Sequence, residues 1–115
     1  MPDTDKLMRD LYAAFNLRDV DTVLAMFHPQ VEWANGMDGG HVRGHAAVRD
    51  YWTRQWTMID PTVEPIEVSD ADGVVTVEVR QTVRDLDGQV LSEGPVRHIY
   101  RLEDRLVRRM DIEKP

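Results

Sequence analysis

Cysteine is absent from this chain of 115 residues, so disulfides, thiolate nucleophiles and thiolate metal sites are excluded. Serine is nearly absent, with Ser69 and Ser92 alone, neither in a nucleophile motif. The chain has no glycine-rich phosphate loop: Gly36, Gly39 and Gly40 match neither nucleotide fingerprint. No apolar run approaches the length of a membrane span. Positive charge is also short: 14 Lys and Arg face 21 Asp and Glu, for a net charge of −7. Phosphate polymers and anionic bilayers need concentrated positive charge. The adjacent pair Arg108-Arg109 supplies none, because neighbours on a strand point to opposite faces. Neither nucleic acid nor membrane is expected as a partner. The four histidines make no metal site by pattern: Gly44 interrupts the His41/His45 spacing, and Val42 stands where a zincin motif needs Glu. No metal and no cofactor are expected.

What is present is ordinary for one globular core. Hydrophobic residues make up 42% and charged residues 30%, and the length suits a single domain over residues 1–115. Met1 to Asp5 is acidic with no long apolar run behind it, so a cytoplasmic location is the expectation.

Leu7, Met8, Leu11, Tyr12 and Phe15 form one helical stripe, with Asp3 or Thr4 as cap. Asp19 caps a second helix carrying Val20, Val23, Leu24 and Phe27, ended by His28-Pro29. Val31-Glu32-Trp33-Ala34 reads as a short strand and residues 35–40 as a loop. A third helix is predicted from about Gly44 to Thr57, with Val48, Tyr51, Trp52 and Trp56 on one side. Then the period changes to two. Val63 to Ser69 contains Pro65 and reads as an edge strand. Val75, Val77, Val79 and Val83 alternate with polar residues, Asp87-Gly88 turns the chain, and Gln89–Leu102 and Leu106–Ile112 complete a meander. The expected fold is α+β: a cone-shaped curved antiparallel sheet, a four-stranded meander plus a short N-terminal strand, packed against three helices.

The last hairpin has two unlike faces. His98, Tyr100, Leu102, Arg108, Met110 and Ile112 share one; Arg97, Ile99, Arg109 and Asp111 share the other. If the mixed-charge face turns toward the helices, the cone holds a polar-tipped cavity, the usual form of a small-molecule site. The other face then lies outside and, being too apolar for water alone, predicts a homodimer.

Leu11-Tyr12-Ala13-Ala14-Phe15-Asn16, Asp19-Val20-Asp21, Phe27-His28-Pro29-Gln30-Val31-Glu32-Trp33, Gly44-His45-Ala46-Ala47-Val48-Arg49-Asp50-Tyr51-Trp52 and the hairpin Tyr100–Val107 together resemble the nuclear transport factor 2-like superfamily. The resemblance is to its SnoaL-like and ketosteroid isomerase-like members and covers almost the whole chain. It implies the cone fold, dimers through the outer sheet face, and a hydrophobic pocket. Against ketosteroid isomerase the register places Asn35 at the proton-shuttling aspartate. It puts Leu11 at the oxyanion-hole tyrosine (Tyr12 is one residue off) and Arg97 at the neutral aspartic acid. Classical ketosteroid isomerisation is therefore not expected. The same register puts Trp33, Trp52, Val77, Val79, Gln81, Arg97, Ile99, Arg109 and Asp111 on the cavity side. Asp111 resembles the acidic position of SnoaL-like cyclases and limonene epoxide hydrolase-like enzymes.

Asp111 with Arg97 is the expected catalytic pair, a carboxylate kept ionised by a guanidinium and able to take a proton from a carbon acid or from water. A structural ion pair would use the same residues. Asn35 and Gln81 could orient a carbonyl or hydroxyl, although Asn-Gly is also a turn. Trp33, Trp52 and Tyr12 belong to an aromatic wall of which Trp52 is the favoured pocket member. Two functions remain open: a cofactor-independent isomerase, cyclase or epoxide hydrolase acting on a small hydrophobic molecule, and a non-catalytic ligand-binding or dimerisation module.

Overall fold

The computed structural model describes residues 2–36 and 38–113. The elements run α1 (Pro2–Asn16), α2 (Val20–Ala25), β1 (Phe27–Ala34), β2 (His41–Arg43), α3 (His45–Gln55), β3 (Asp60–Ala71), β4 (Val74–Arg84), β5 (Val90–Glu103) and β6 (Leu106–Glu113). Three helices pack on one six-stranded, curled and unclosed sheet of order β2-β1-β6-β5-β4-β3. The expected α+β cone is present, with one strand more than the sequence suggested.

The helices follow their stripes. α1 begins at Pro2, ahead of the expected cap, and Thr4 Oγ1 instead donates to Asp70 Oδ2 at 3.2 Å. Asp19 caps α2 as expected, accepting from the Thr22 amide. Phe27 starts β1 instead of ending α2, and His28-Pro29 lies inside that strand. His41 and Val42 pair with Ala34 and Trp33, so a short strand not expected from the sequence follows the loop. Gly44, at φ 86°, makes the turn into α3, a backbone region that side chains other than glycine's rarely adopt. Asn16 clamps the end of α1 to the sheet edge: its Nδ2 donates to Val63 O (2.7 Å) and its Oδ1 accepts from the Val63 amide (3.0 Å).

Which sheet face meets the helices is decided by burial. Val75, Val77 and Val79 of β4 and Tyr100 and Met110 of the last hairpin are at most 1% exposed, and His98 is 7% exposed. They pack with Met8, Leu11 and Tyr12 of α1 and Val48 and Trp52 of α3 in one core. In β5 the rungs join His98 to Val77 and Tyr100 to Val75, and in β6 to Ile112 and Met110. Arg97, Ile99, Arg109 and Asp111 alternate with these and therefore stand on the outer face. The expected inward placement of Arg97, Ile99 and Arg109 is thus reversed. The physical reason is that hydrophobic burial claims the more apolar face of the hairpin. A one-residue slip in the family register had exchanged the two faces. The apolar outer surface on which the homodimer expectation rested is turned inward, since His98, Tyr100 and Met110 are core.

Candidate functional site

Aromatic rings fill the deep end of the cone. Trp52 meets Phe15 at 5.2 Å, Trp33 at 5.4 Å and Phe27 at 5.9 Å between ring centroids. Trp33 stacks on Phe27 at 5.0 Å. Both tryptophans are core: Trp52 is 1% and Trp33 7% exposed. Neither lines the cleft in the mouth of the cone, so the expected pocket places of Trp52 and Trp33 fall in the packed aromatic core instead.

Set into this apolar packing is a short line of polar ring tips. Tyr12 Oη lies 2.7 Å from His98 Nδ1 and 2.7 Å from Tyr100 Oη. Their proton directions follow from counting donors. Tyr100 is fully buried and Tyr12 is its single polar partner, so the Tyr100 hydroxyl must donate to Tyr12. Tyr12 then donates to His98 Nδ1. A neutral imidazole whose Nδ1 accepts carries its proton on Nε2. Burial pushes the His98 pKa down to about 4, which keeps the ring neutral near pH 7. Burial likewise drives the Tyr12 and Tyr100 hydroxyls well above their usual range, the neighbouring hydroxyl adding to the rise at Tyr12 and offsetting part of it at Tyr100. The whole line is an uncharged donor chain.

His98 Nε2 has no hydrogen-bond partner among the described residues. Among the described residues the single buried side-chain nitrogen or oxygen left without one is Trp56 Nε1, so His98 Nε2 is not sealed. A cleft of about 840 Å³ lies in the mouth of the cone; its lining includes Val96, Ile112, Ile59, Val83, Gln81 and Asn35, and His98 itself stays behind that lining. Val96 precedes His98 by two residues on the same inner face, and Ile112 is its rung partner on β6. Gln81 and Asn35 thus lie where the sequence put them. Asn35 Oδ1 also accepts from the Asp38 amide at 2.8 Å, so it holds the turn as well.

Asp111 and His41 border the same cleft at its lip. His41 Nε2 donates to Asp111 Oδ1 at 2.9 Å. Arg109 grips both carboxylate oxygens, at 3.0 and 3.1 Å. Partial burial raises the Asp111 pKa, but the hydrogen bonds and charges of Arg109 and His41 outweigh it and leave the carboxyl below its usual range. Arg109 continues to Glu32 at 2.9 Å, and Glu32 to Arg43 at 2.6 Å; bonds from Arg43 and then Arg109 hold Glu32 low as well. Arg97 does not reach Asp111. It binds Glu78 (2.7 Å) and Glu113 (2.5 Å) across its own rungs. The expected Asp111–Arg97 pair is therefore replaced by Asp111–Arg109–His41, with Arg97 in a separate ladder on the outer face.

His98, Tyr100 and His41 were missed as site residues, and Tyr12 was assigned to an aromatic wall. One signal could have found the relay: Tyr12 lies on the α1 core stripe, and a buried tyrosine hydroxyl needs a partner. His98 and Tyr100, two polar-tipped rings on one apolar strand face, are the natural partners. Among the described residues no group of three or more His, Cys, Asp or Glu could hold a metal ion. No helix among them is long and apolar enough to cross a membrane.

The SnoaL-like domain family model matches residues 8–110. This chain belongs to the SnoaL-like family. A search of curated proteins gave no match. Among solved structures it is similar to TerC, co-crystallised with polyporic acid (25% identity, TM-score 0.85, 100% of this chain and 92% of that one). It is also similar to a nuclear transport factor 2-like protein of unknown function from Burkholderia pseudomallei, at 24% identity and TM-score 0.87 over the same shares of 100% and 92%. A third is SalBIII, an epoxide hydrolase/cyclase-like enzyme with a role in pyran ring formation, at 18% identity and TM-score 0.82 over 99% and 92%.

Proposed function

We propose that this chain binds a small, largely apolar molecule with a carbonyl-type oxygen in the mouth of its cone and moves a proton on it without a cofactor. The observation that carries the reading is the line Tyr100–Tyr12–His98, whose last ring neighbours Val96 and Ile112, two residues that line the cleft; the reading aims its Nε2–H between them. A neutral donor fixed in an apolar wall stabilises an oxygen that gains charge, because it needs no reorganisation and is little screened. Tyr12 and His98 each lie one residue along from Leu11 and Arg97, the positions that the register against ketosteroid isomerase picks; Leu11 is apolar core and Arg97 is turned outward. The Asp111–His41 dyad at the lip is the proton acceptor in this proposal, Asp111 holding the Nε2–H of His41 and leaving Nδ1 with its lone pair. In the step proposed, a C–H next to the carbonyl gives its proton to the dyad. The C–H electron pair forms a C=C bond, and the carbonyl π pair moves to the oxygen held by His98. Return of the proton to the same or a conjugated carbon restores the carbonyl. Isomerisation and aldol-type cyclisation share this step. The ligand named for TerC and the reaction named for SalBIII support a small-molecule substrate.

A second reading, binding without turnover, is favoured by one observation: Asp111 is held acidic by Arg109, and a weak base supports poor proton abstraction. One experiment separates the two. 2-Tetralone, a bicyclic ketone with acidic α-protons, is added to the protein in D2O and followed by NMR. Accelerated α-deuteration, lost in His98→Phe, is the result expected for the enzyme. A moved His98 Nε2 signal with exchange at the buffer rate selects the binding module. No change in either defeats the proposal.

A further inference from the structure

In the proposed reading His98 is not the single polar group turned to the cleft. Gln81, on the inner face of β4, borders the same space, and its amide makes no hydrogen bond to the described residues. Its rung partner on β5 is Gly94, where even an added Cβ would meet nothing within 4 Å. The space over that rung is open. Between the two polar groups the sheet is aliphatic: Val79 pairs with Val96 on the next rung, and Val77 with His98 on the one after. The only carboxylate of β5 bordering the cleft, Glu93, is bonded to Arg80 at 2.7 Å and Thr82 at 3.3 Å on the outer face. Gly94 and His98 are four residues apart, so the two polar levels stand roughly 13 Å apart along the strands. A hydrogen bond of about 2.9 Å at each end leaves roughly 7 Å between the ligand's own polar atoms.

We infer that the substrate is a flat, two-ended molecule: an apolar body of about two fused rings with an oxygen at each far end. The inner oxygen is held by His98 Nε2–H and the outer one by the Gln81 amide. The inference rests on the proposed reading of His98 as the inner donor, and it narrows the substrate class from any small hydrophobe to one with oxygens at opposite ends. A purely aliphatic ligand, or one with both oxygens at one edge, would cover the Gln81 amide without bonding it, which disfavours it.

The test uses two isomers of equal polarity. 2,6-Dihydroxynaphthalene carries its oxygens at opposite ends; 2,3-dihydroxynaphthalene carries them on one edge. Each is titrated into the wild-type protein and Gln81→Leu, with affinities from calorimetry and the His98 and Gln81 side-chain NMR signals followed in the wild type. The expected result is that the 2,6 isomer binds about tenfold more tightly, the factor that one hydrogen bond supplies. It should move both signals and lose that advantage in Gln81→Leu. Equal affinities, with His98 responding and Gln81 silent, overturn the two-ended ligand while sparing the proposed function. A silent His98 with every ligand overturns both. The wild-type Gln81 signal decides the matter even if Gln81→Leu folds poorly.

Discussion

The two faces of one sheet handle polar groups in opposite ways. Behind the inner face Tyr12, His98 and Tyr100 are kept neutral by burial, and all their polar atoms except His98 Nε2 are bonded to one another. On the outer face Glu32, Arg109, Asp111, Arg97, Glu78 and Glu113 stay charged and pair across rungs in partial contact with water. The same alternating strands supply both. The difference teaches that strong bonding geometry alone does not mark a site in this fold. The charged ladders have short distances too, but water can replace what they provide. The inner line cannot exchange its partners for water, so a change there reaches both stability and the cleft.

The comparison can be broken from the inside first. Trp52→Ala removes a ring that contacts four other aromatics, and a fully buried tryptophan lost to a cavity costs about 3–5 kcal/mol. Chemical denaturation should report a loss of that size; a loss below about 1 kcal/mol would mean the deep end is loosely packed.

Acid should act on the inner face next. The folded His98 pKa of about 4 lies below the unfolded value of about 6.5. The unfolded chain therefore binds the extra proton, and stability present above pH 6.5 is lost as pH falls toward 4. The full loss is roughly 3 kcal/mol. Tyr12 and Tyr100 are the other titratable groups in contact with the ring, and neither changes charge in that window. His98→Phe should be less stable at pH 7 but flat between pH 7 and 5. The outer carboxylates act later. Glu32 and Asp111 have lowered pKa values, so their contribution is present above the ordinary carboxylate range and disappears only below it. A single smooth loss beginning below pH 4.5 would assign the acid response to the ladders instead.

Tyr12→Phe leaves the buried Tyr100 hydroxyl and His98 Nδ1 without their partner, at about 1–3 kcal/mol for an unsatisfied buried group. It should also raise the population of the other His98 tautomer, visible in the imidazole nitrogen shifts. A purely structural tyrosine would change stability and leave the tautomer alone. The smallest effect belongs outside. Arg97→Met should leave the melting midpoint within experimental scatter, with even that difference erased by high salt.

Much of the fold was legible because period-two and helical stripes are strong signals. The four-strand meander, the edge position of β3 and the cap at Asp19 all follow from local pattern. The early start of β1 was hidden, since Phe27 continues the apolar spacing of α2 while His28-Pro29 marks a helix end whether or not a strand follows. β2 was hidden because three residues after glycines carry no period. The site was half legible. Gln81 and Asn35 reach the cleft, but the decisive faces of β5 and β6 were exchanged by one residue. Here the plainer rule was the better guide: of two faces, Tyr100, Leu102, Met110 and Ile112 make the more apolar one, and it is the one the core takes. Asp111 reaches the cleft only at the lip, through a partner, His41, whose strand was not foreseen.

The central claim is that His98 is a neutral imidazole whose Nε2–H faces the cleft. Nitrogen NMR of the His98 side chain from pH 3 to 8, with and without 2-tetralone, tests it most directly. The account predicts the Nε2–H tautomer at neutral pH, protonation near pH 4, and an Nε2 shift when the ketone binds. Titration near pH 6.5, a proton on Nδ1, or an Nε2 signal indifferent to ligand would contradict it.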